Sequence, residues 1–190
     1  MKNYFIYTAA LFLLCACKNT SEEYKEQAYL QKGDSIVSTA HSVLSAQASW
    51  AIDSLGASEA VRFYHEQVNP LMDSVSEKFS KTHIKRLSQN PYNADNRVKT
   101  TLDSLAWLQM KKLVKDTAQT EHGFVVKERD QYNYYSPIKA NNADCLQCHG
   151  TEKDIDPETY KALKNLYAQD KNDGFKKGDL MGLWKITFDE

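Results

Sequence analysis

Several features are scarce in this chain of 190 residues, and each scarcity narrows the class of protein. There are four cysteines, which leaves little room for structural disulfides. The 24 basic residues do not outnumber the 25 acidic ones, so there is no electrostatic case for nucleic-acid binding. No internal repeat or low-complexity tract is present, which excludes repeat architectures. The one long apolar run, Tyr4–Leu14, is too short to cross a bilayer as a helix.

That apolar run has the position and flanks of an export signal. Met1-Lys2-Asn3 is a short basic start, and Leu14-Cys15-Ala16-Cys17 provides a small-residue cleavage site with Cys17 first after the cut. This is the form of a bacterial lipoprotein leader, in which the new N-terminal thiol is acylated. We predict a lipid-anchored protein of the bacterial cell envelope, on the outer membrane or facing the periplasm. A soluble secreted protein is the alternative.

The remaining chain has the size of one domain. We predict a signal peptide over 1–16, a polar tether over 17–23 and one domain over 24–190, whose helical part covers 24–80. Behind the leader, only Cys145 and Cys148 remain as thiols once Cys17 is acylated.

The strongest chemical signal is the stretch Cys145-Leu146-Gln147-Cys148-His149-Gly150. Two cysteines three apart, followed at once by a histidine, are typical of a c-type haem attachment site. The thiols add to the porphyrin vinyl groups as thioethers, and His149 then lies under the iron as proximal ligand. Gly150 lets the chain leave the haem edge without a side-chain clash. Since the motif occurs once, we predict one covalently bound haem c.

Two other uses of the motif stay open. A structural zinc site requires four ligands, and the mature chain offers no further free cysteine. A thioredoxin-like dithiol begins a helix after a strand in a βαβ unit, whereas this pair follows the loop 140–144. The predicted export favours the haem attachment site over the zinc site and the dithiol, because bacteria attach haem c outside the cytoplasm.

Hydrophobic periodicity predicts helices first and a mixed region after them. Gly33 is a possible break in the first helix, and Asp95 and Asp156 are candidate helix caps. The predicted elements are helices over about 24–55, 58–79, 95–115 and 157–167 and strands over about 83–88, 123–128, 132–138 and 182–188. Together they predict an α+β domain, a small antiparallel sheet with helices before it and on one side.

Four stretches occur in the same order in a family of exported single-haem proteins. They are Asn90-Pro91-Tyr92-Asn93, Ser136-Pro137-Ile138, Cys145–Gly150 and the run from Asp170 to Trp184 with its Gly178-Asp179-Leu180-Met181-Gly182 segment. From about Ser58 to the C-terminus the chain resembles this family, long catalogued as a domain of unknown function. The resemblance implies a PAS-like fold whose five-stranded antiparallel sheet packs against haem c. It also implies a redox or small-molecule-sensing haem.

The chain departs from that family at a position that bears on the iron. Members carry a cysteine that can supply the second axial ligand, and the corresponding run here is Ala60-Val61-Arg62-Phe63-Tyr64-His65, with Tyr64 in the cysteine's place. A thiolate ligand is therefore excluded. We predict His65 as the leading distal ligand, although a shift of one residue turns a helical side chain about 100° away. Tyr64 as a phenolate ligand is the first alternative.

Further distal candidates are His83, His122, Met72 and Met110. His41 is most simply interpreted as a polar position on the first helix. An iron with no distal ligand is also open, and it would be able to bind a diatomic gas.

Other residues are candidates for the walls of a haem pocket. Tyr132, Tyr134, Tyr135 and Trp184 could line it, with strand packing as the plainer account. Arg86 and Arg97 could pair with the haem propionates, with an exposed surface role as the alternative.

The sequence leads to three functional hypotheses, a non-enzymatic haem protein, an enzyme and a binding protein. The first is a non-enzymatic haem c protein that exchanges single electrons with a partner protein or senses redox state or a diatomic ligand. The second is a small peroxidase, which would need a distal histidine and a nearby arginine, and no distinctive Arg-x-x-x-His spacing is present. The third is a binding lipoprotein with a vestigial haem motif.

Overall fold

The structure is a computed structural model that describes residues 20–115, 123–167 and 174–189. The predicted signal peptide, Cys17 and His122 lie outside these ranges, as do residues 170–173 of the family-like run. The elements are the helices α1 (Thr20–Leu55), α2 (Ala57–Ser76), α3 (Thr101–Lys115), α4 (Ala143–His149) and α5 (Pro157–Leu166) and the strands β1 (Thr82–Leu87), β2 (Phe124–Glu128), β3 (Gln131–Lys139) and β4 (Leu180–Asp189).

The four strands form one antiparallel sheet in the order β1-β4-β3-β2. β2 and β3 are the predicted hairpin, and they turn at Arg129-Asp130, where Arg129 has a φ of 56°. The family resemblance implied five strands, and the described residues form four. Beyond β1 the chain makes only an isolated bridge from Ser88 to Arg97. Pro91, which lacks an N–H, and a 3₁₀ turn at Ala94–Asn96 interrupt that stretch.

Helices cover both faces of the sheet, which corrects the prediction that they lie on one side. The alternation of side chains along β3 explains this, because neighbouring residues point to opposite faces. Tyr134 packs in a cluster with Ile36 of α1, whereas Tyr135 packs with Trp107 and Met110 of α3. Both faces of the central strands are therefore buried.

α1 begins at Thr20 and includes part of the stretch predicted to be a tether. Glu22 in its first turn accepts hydrogen bonds from the Lys127 ammonium at 3.0 Å and from the Tyr132 hydroxyl at 2.9 Å. These contacts tie the start of α1 to the β2–β3 hairpin. Residues 20–23 are thus helical and belong to the folded domain.

α1 and α2 form an antiparallel pair, with Gly56 at φ +81° as the one residue between them. The Trp50 and Phe63 rings meet with centroids 5.4 Å apart. Further along, the Tyr64 hydroxyl donates to the Leu44 carbonyl at 2.8 Å. Late residues of α1 therefore meet early residues of α2, as an antiparallel pairing requires.

The predicted helix caps have different outcomes. Asp156 caps α5 and accepts hydrogen bonds from the backbone N–H groups of Glu158 and Thr159, as predicted. Asp95 instead belongs to the 3₁₀ turn, and α3 starts later, where the Thr100 hydroxyl accepts from the Asp103 N–H at 3.0 Å. No helix in the described ranges has the length and apolar character needed to span a membrane.

Candidate functional site

The Cys-x-x-Cys-His motif forms α4, a helix of seven residues. The Asn142 side-chain oxygen caps this helix and accepts hydrogen bonds from both the backbone N–H and the thiol of Cys145, each at 3.0 Å. Cys148 and His149 follow one turn later, at the three- and four-residue spacing that places side chains on one face. Both cysteines are free thiols and half-buried.

The chain after α4 turns sharply at Gly150. A Cβ at this position would lie 2.5 Å from the Leu146 carbonyl oxygen and 2.8 Å from the Asp154 Cβ, so a side chain does not fit. Downstream, the backbone returns to the motif, with the Gly174 N–H donating to the Gly150 carbonyl at 2.7 Å and the Phe175 N–H to the His149 carbonyl at 3.0 Å. The end of α4 is therefore held by the family-like run that precedes β4.

Tyr92 of the Asn-Pro-Tyr-Asn stretch is in direct contact with the motif. Its hydroxyl donates to the Cys148 carbonyl at 2.8 Å, and its ring stacks on the His149 imidazole with centroids 5.2 Å apart. The Tyr92 ring also stacks on the Tyr167 ring, with centroids 4.9 Å apart. Two of the stretches that carry the family resemblance thus meet at one point in the fold.

Cys145, Cys148 and His149 all line one cavity of about 310 Å³, and their shared lining is the central feature of the site. This volume is within the range of small-molecule sites, about 300–1,000 Å³. The walls come mainly from α1, α2, β1, β4, α4 and the segment 88–96, with smaller contributions from β3 and the end of α5, and they are mostly apolar. The polar side chains that bear on its chemistry are His41, Tyr64, Arg86 and Tyr167.

Burial shifts the pKa values of several groups in the cavity wall, among them Cys148 and Arg86. Burial, with smaller contributions from Asp156 and Cys145, raises the pKa of the Cys148 thiol to about 11, so this thiol is protonated at neutral pH. Burial also lowers the pKa of Arg86, although the nearby Tyr64 and Tyr167 hydroxyls oppose this. No carboxylate in the described ranges pairs with Arg86, whose guanidinium lies in the cavity wall.

The two leading distal candidates occupy different places. Tyr64 lines the cavity, but its hydroxyl is bonded to Leu44, and burial raises its pKa to about 12 despite the opposing charge of Arg86. His65, one residue further around α2, is exposed and is not among the residues that line the cavity. Its Nδ1 lies 2.9 Å from the Tyr167 hydroxyl.

Of the other distal candidates, His122 lies outside the described residues, and the remaining three do not line the cavity. His83 is exposed on β1 with its Nε2 3.1 Å from the Asp189 carboxylate. Met72 and Met110 are buried in separate hydrophobic clusters. His41, which the sequence indicated only as a polar position on the first helix, is exposed and lines the cavity. In the sequence, only its three-residue spacing from Leu44 on the same helix pointed to a place in the cavity wall. An isolated histidine on a long helix does not by itself predict a binding site.

The structure separates the remaining pocket candidates. Trp184 lines the cavity, whereas the hydroxyls of Tyr132, Tyr134 and Tyr135 bond to carboxylates of Glu22, Asp34 and Asp103 within the α1–sheet and α3–sheet packing. Arg86 lines the cavity. Arg97 is exposed and donates to the Gln89 carbonyl at 3.1 Å.

The described residues form no cluster of side chains that could bind a metal ion without a porphyrin. In the part of the chain that the structure describes, no group of three or more His, Cys, Asp or Glu side chains is arranged to hold one.

The fold and this site define a class, α+β proteins in which a Cys-x-x-Cys-His helix forms one wall of a mostly apolar cavity beside an antiparallel sheet. The chain belongs to the Tll0287-like family, whose model matches residues 19–188. This confirms the predicted family and its PAS-like fold.

Among solved structures, the chain is similar to the cyanobacterial heme-protein Tll0287. The two share 18% sequence identity with a TM-score of 0.63, over 86% of this chain and 96% of that chain. At this identity the likeness shows the fold alone. A comparison with curated proteins finds no match.

Proposed function

We propose that this protein carries one haem c, bound through thioethers from Cys145 and Cys148 and ligated by His149. The haem would serve single-electron exchange with a partner protein or the sensing of redox state or a diatomic ligand. The observation that carries the proposal is that all three side chains of the motif line the same cavity. The solved structure that shares this fold is a heme-protein, which supports the same cofactor here.

The residues present fit a haem by their chemistry. Two free thiols and an imidazole are the groups that a c-type haem needs, and they lie on one short helix. The mostly apolar wall suits a porphyrin face, and Arg86, which pairs with no carboxylate among residues 20–115, 123–167 and 174–189, offers a cation to a propionate. Bound there, a haem would supply a one-electron couple and, at any open coordination position, a site for a diatomic ligand.

The neighbouring residues hold the motif in place. The Asn142 cap orders the first turn of α4, and the Tyr92 hydroxyl bonds to the carbonyl next to His149. The stacked Tyr92 ring restricts the orientation of the His149 imidazole. Ordering of this kind reduces the conformational entropy that attachment and ligation would otherwise have to overcome.

The geometry argues against the other uses of the motif. α4 lies between β3 and β4, which are antiparallel neighbours, so it is not the crossover helix of a βαβ unit. A thioredoxin-like dithiol is therefore not supported. A zinc site is not supported either, because the motif supplies three donors and the described residues bring no cluster to it.

We also propose that the protein is anchored to the bacterial cell envelope through acylated Cys17. The leader-like sequence supports this, since its cleavage would place Cys17 at the N-terminus. α1 begins three positions further on, at Thr20, and its first turn is tied to the sheet. An anchored domain would thus remain close to the membrane surface, where it would meet a membrane-associated partner.

A small haem peroxidase is the second candidate, and one observation favours it. His41 and Arg86 line the same cavity, although the sequence shows no peroxidase-like spacing between them. A histidine that transfers protons and an arginine that stabilises charge are the groups that peroxide cleavage requires. This candidate needs an iron with an open coordination position, which spectroscopy can determine.

The test is to express the full chain, with its leader, in a bacterium that has c-haem maturation machinery. We expect a purified protein whose mass includes one haem, whose Soret absorption survives acid–acetone extraction and which fractionates with membranes. A Cys145→Ser, Cys148→Ser double variant should lose the covalent haem. Cys15→Ser is the matched control, because residue 15 lies in the predicted leader and the mature protein should be unchanged.

Material that carries the mass of the processed chain and no porphyrin would overturn the haem proposal. Catalytic turnover of peroxide by the haem-loaded protein would favour the peroxidase over the sensor or electron carrier.

A further inference from the structure

One histidine in the cavity wall has no role in the motif. His41 lies on α1, and its one hydrogen-bond partner in the described structure is the Ser45 hydroxyl at 3.4 Å. That distance is at the long end for a hydrogen bond, so the contact is weak. The imidazole is therefore available to bind another group in the cavity.

His41 belongs to a continuous stripe of α1 that lines the cavity. Residues 41, 44, 48 and 52 follow one another at three- and four-residue steps, so they share one face of the helix. α1 packs against α2 and the sheet, whereas α4 packs against α2 and α5. His41 and His149 thus approach the same cavity from different elements, which is a requirement for two axial ligands.

The other candidate ligands are engaged or placed elsewhere. The Tyr64 hydroxyl donates to the Leu44 carbonyl, and as a neutral phenol it is a poor iron ligand. His65 and His83 are exposed, do not line the cavity and contact Tyr167 and Asp189 respectively. Tyr92 stacks on the proximal His149 itself.

We propose that His41 is the second axial ligand of the haem, which gives the iron bis-histidine coordination. This inference rests on the proposed function, because it requires the haem. The Tyr64–Leu44 hydrogen bond fixes α2 against α1 one turn from His41, so the imidazole is supplied by an anchored helix. A diatomic ligand would then bind only by displacing His41, and the resting protein would be a six-coordinate electron carrier or a sensor gated by that displacement.

The chief rival is Met181 of β4, whose buried side chain also lines the cavity. A thioether is an established haem ligand, but Met181 lies in the sheet among apolar neighbours, where methionine also serves as packing. His41 is favoured because its ring makes only a long hydrogen bond, at 3.4 Å, to the Ser45 hydroxyl in the described structure.

The experiment compares haem-loaded wild type with His41→Ala by electronic absorption and electron paramagnetic resonance. Wild type should be low-spin and six-coordinate, and His41→Ala should be high-spin with at least tenfold tighter carbon monoxide binding. Added imidazole should restore the low-spin spectrum of His41→Ala. His65→Ala is the matched control and should match wild type, since its side chain is exposed and away from the cavity.

A high-spin wild type, or a His41→Ala spectrum identical to wild type, would overturn the ligand assignment. Conversion to high spin by Met181→Leu, with His41→Ala unaffected, would assign the position to Met181 instead. These outcomes all require covalently attached haem, so they are distinct from failure of the proposed function, in which no variant carries porphyrin. His41 is exposed, so its truncation should leave folding intact, and circular dichroism checks this.

Discussion

Arg86 shows how a single residue can bear on the chemistry of the whole cavity. It is half-buried in a mostly apolar wall, where desolvation lowers its pKa, yet an arginine remains charged under such conditions. A positive charge near a haem favours the reduced state, since reduction adds an electron. We therefore expect Arg86 to raise the reduction potential of the haem-loaded protein.

Replacing Arg86 by Gln should lower that potential. A unit charge about 9 Å from the iron, at an effective dielectric constant of about 20, amounts to roughly 2 kcal/mol, or about 80 mV for one electron. Spectroelectrochemical titration of the purified haem-loaded protein measures it. Arg97→Gln is the matched control, because Arg97 is exposed and outside the cavity lining, and its potential should stay within a few millivolts of wild type. Equal shifts of the reduction potential in both variants would show that the potential depends on the net charge of the protein and not on the position of Arg86.

At the scale of elements, α1 illustrates a glycine that serves packing. Glycine inside a helix normally weakens it, which is why Gly33 suggested a break. α1 nevertheless runs through this position, and a Cβ there would lie 2.3 Å from the Tyr134 ring. The glycine lets the helix approach the sheet closely, and the contact with Tyr134 compensates for the poor helix propensity.

Gly33→Ala should therefore destabilise the protein, against the trend for exposed helix positions. We expect a loss of about 1–3 kcal/mol in the free energy of unfolding, because the methyl group forces α1 away from the aromatic ring. Urea denaturation of the haem-free domain measures this. Ser38→Ala on the exposed face of α1 is the control and should be neutral or slightly stabilising. A gain in stability for Gly33→Ala would show that the close packing is not required.

For the molecule as a whole, an ion pair between buried Asp103 and half-buried Lys185 joins α3 to the sheet face opposite α1. The Asp103 carboxylate accepts hydrogen bonds from the Lys185 ammonium and the Tyr135 hydroxyl, each at 2.8 Å. Burial alone would raise the pKa of Asp103, but hydrogen bonds from Lys185, Thr100 and Tyr135 outweigh it and lower the pKa. The charged form is therefore favoured in the folded protein.

This lowered pKa predicts how stability depends on pH. The contribution of Asp103 is present above its unfolded-state pKa of about 4 and is lost as the pH falls through the lower folded-state value. Asp103→Asn should lose about 2 kcal/mol at pH 7, because half-buried Lys185 is left without its partner, and the gap from wild type should narrow below about pH 4. Urea denaturation between pH 3 and 7 measures both. Exposed Asp73→Asn is the control, and a gap that does not change with pH would refute the role of this pair.

Local sequence patterns were enough to predict the Cys-x-x-Cys-His motif, the family and most of the helices and strands. The Cys-x-x-Cys-His spacing, the hairpin around Arg129-Asp130 and the Asp156 cap depend on residues close in sequence, so the pattern contains the whole interaction. The start of α1 was less accessible, because the contacts of Glu22 with Lys127 and Tyr132 join residues more than a hundred positions apart.

Only the tertiary structure decided which side chains share the cavity. His65 follows the tyrosine at the family's ligand position, and yet the turn of α2 leaves it exposed, while His41, twenty-four positions earlier, lines the cavity because α1 packs back against α2. The same long-range packing placed Arg86 in the cavity wall with no carboxylate partner among the described residues, and it covered both faces of the sheet. The Cys-x-x-Cys-His motif is encoded by adjacent residues, whereas the far side of a cavity is assembled from helices and strands that meet only after folding.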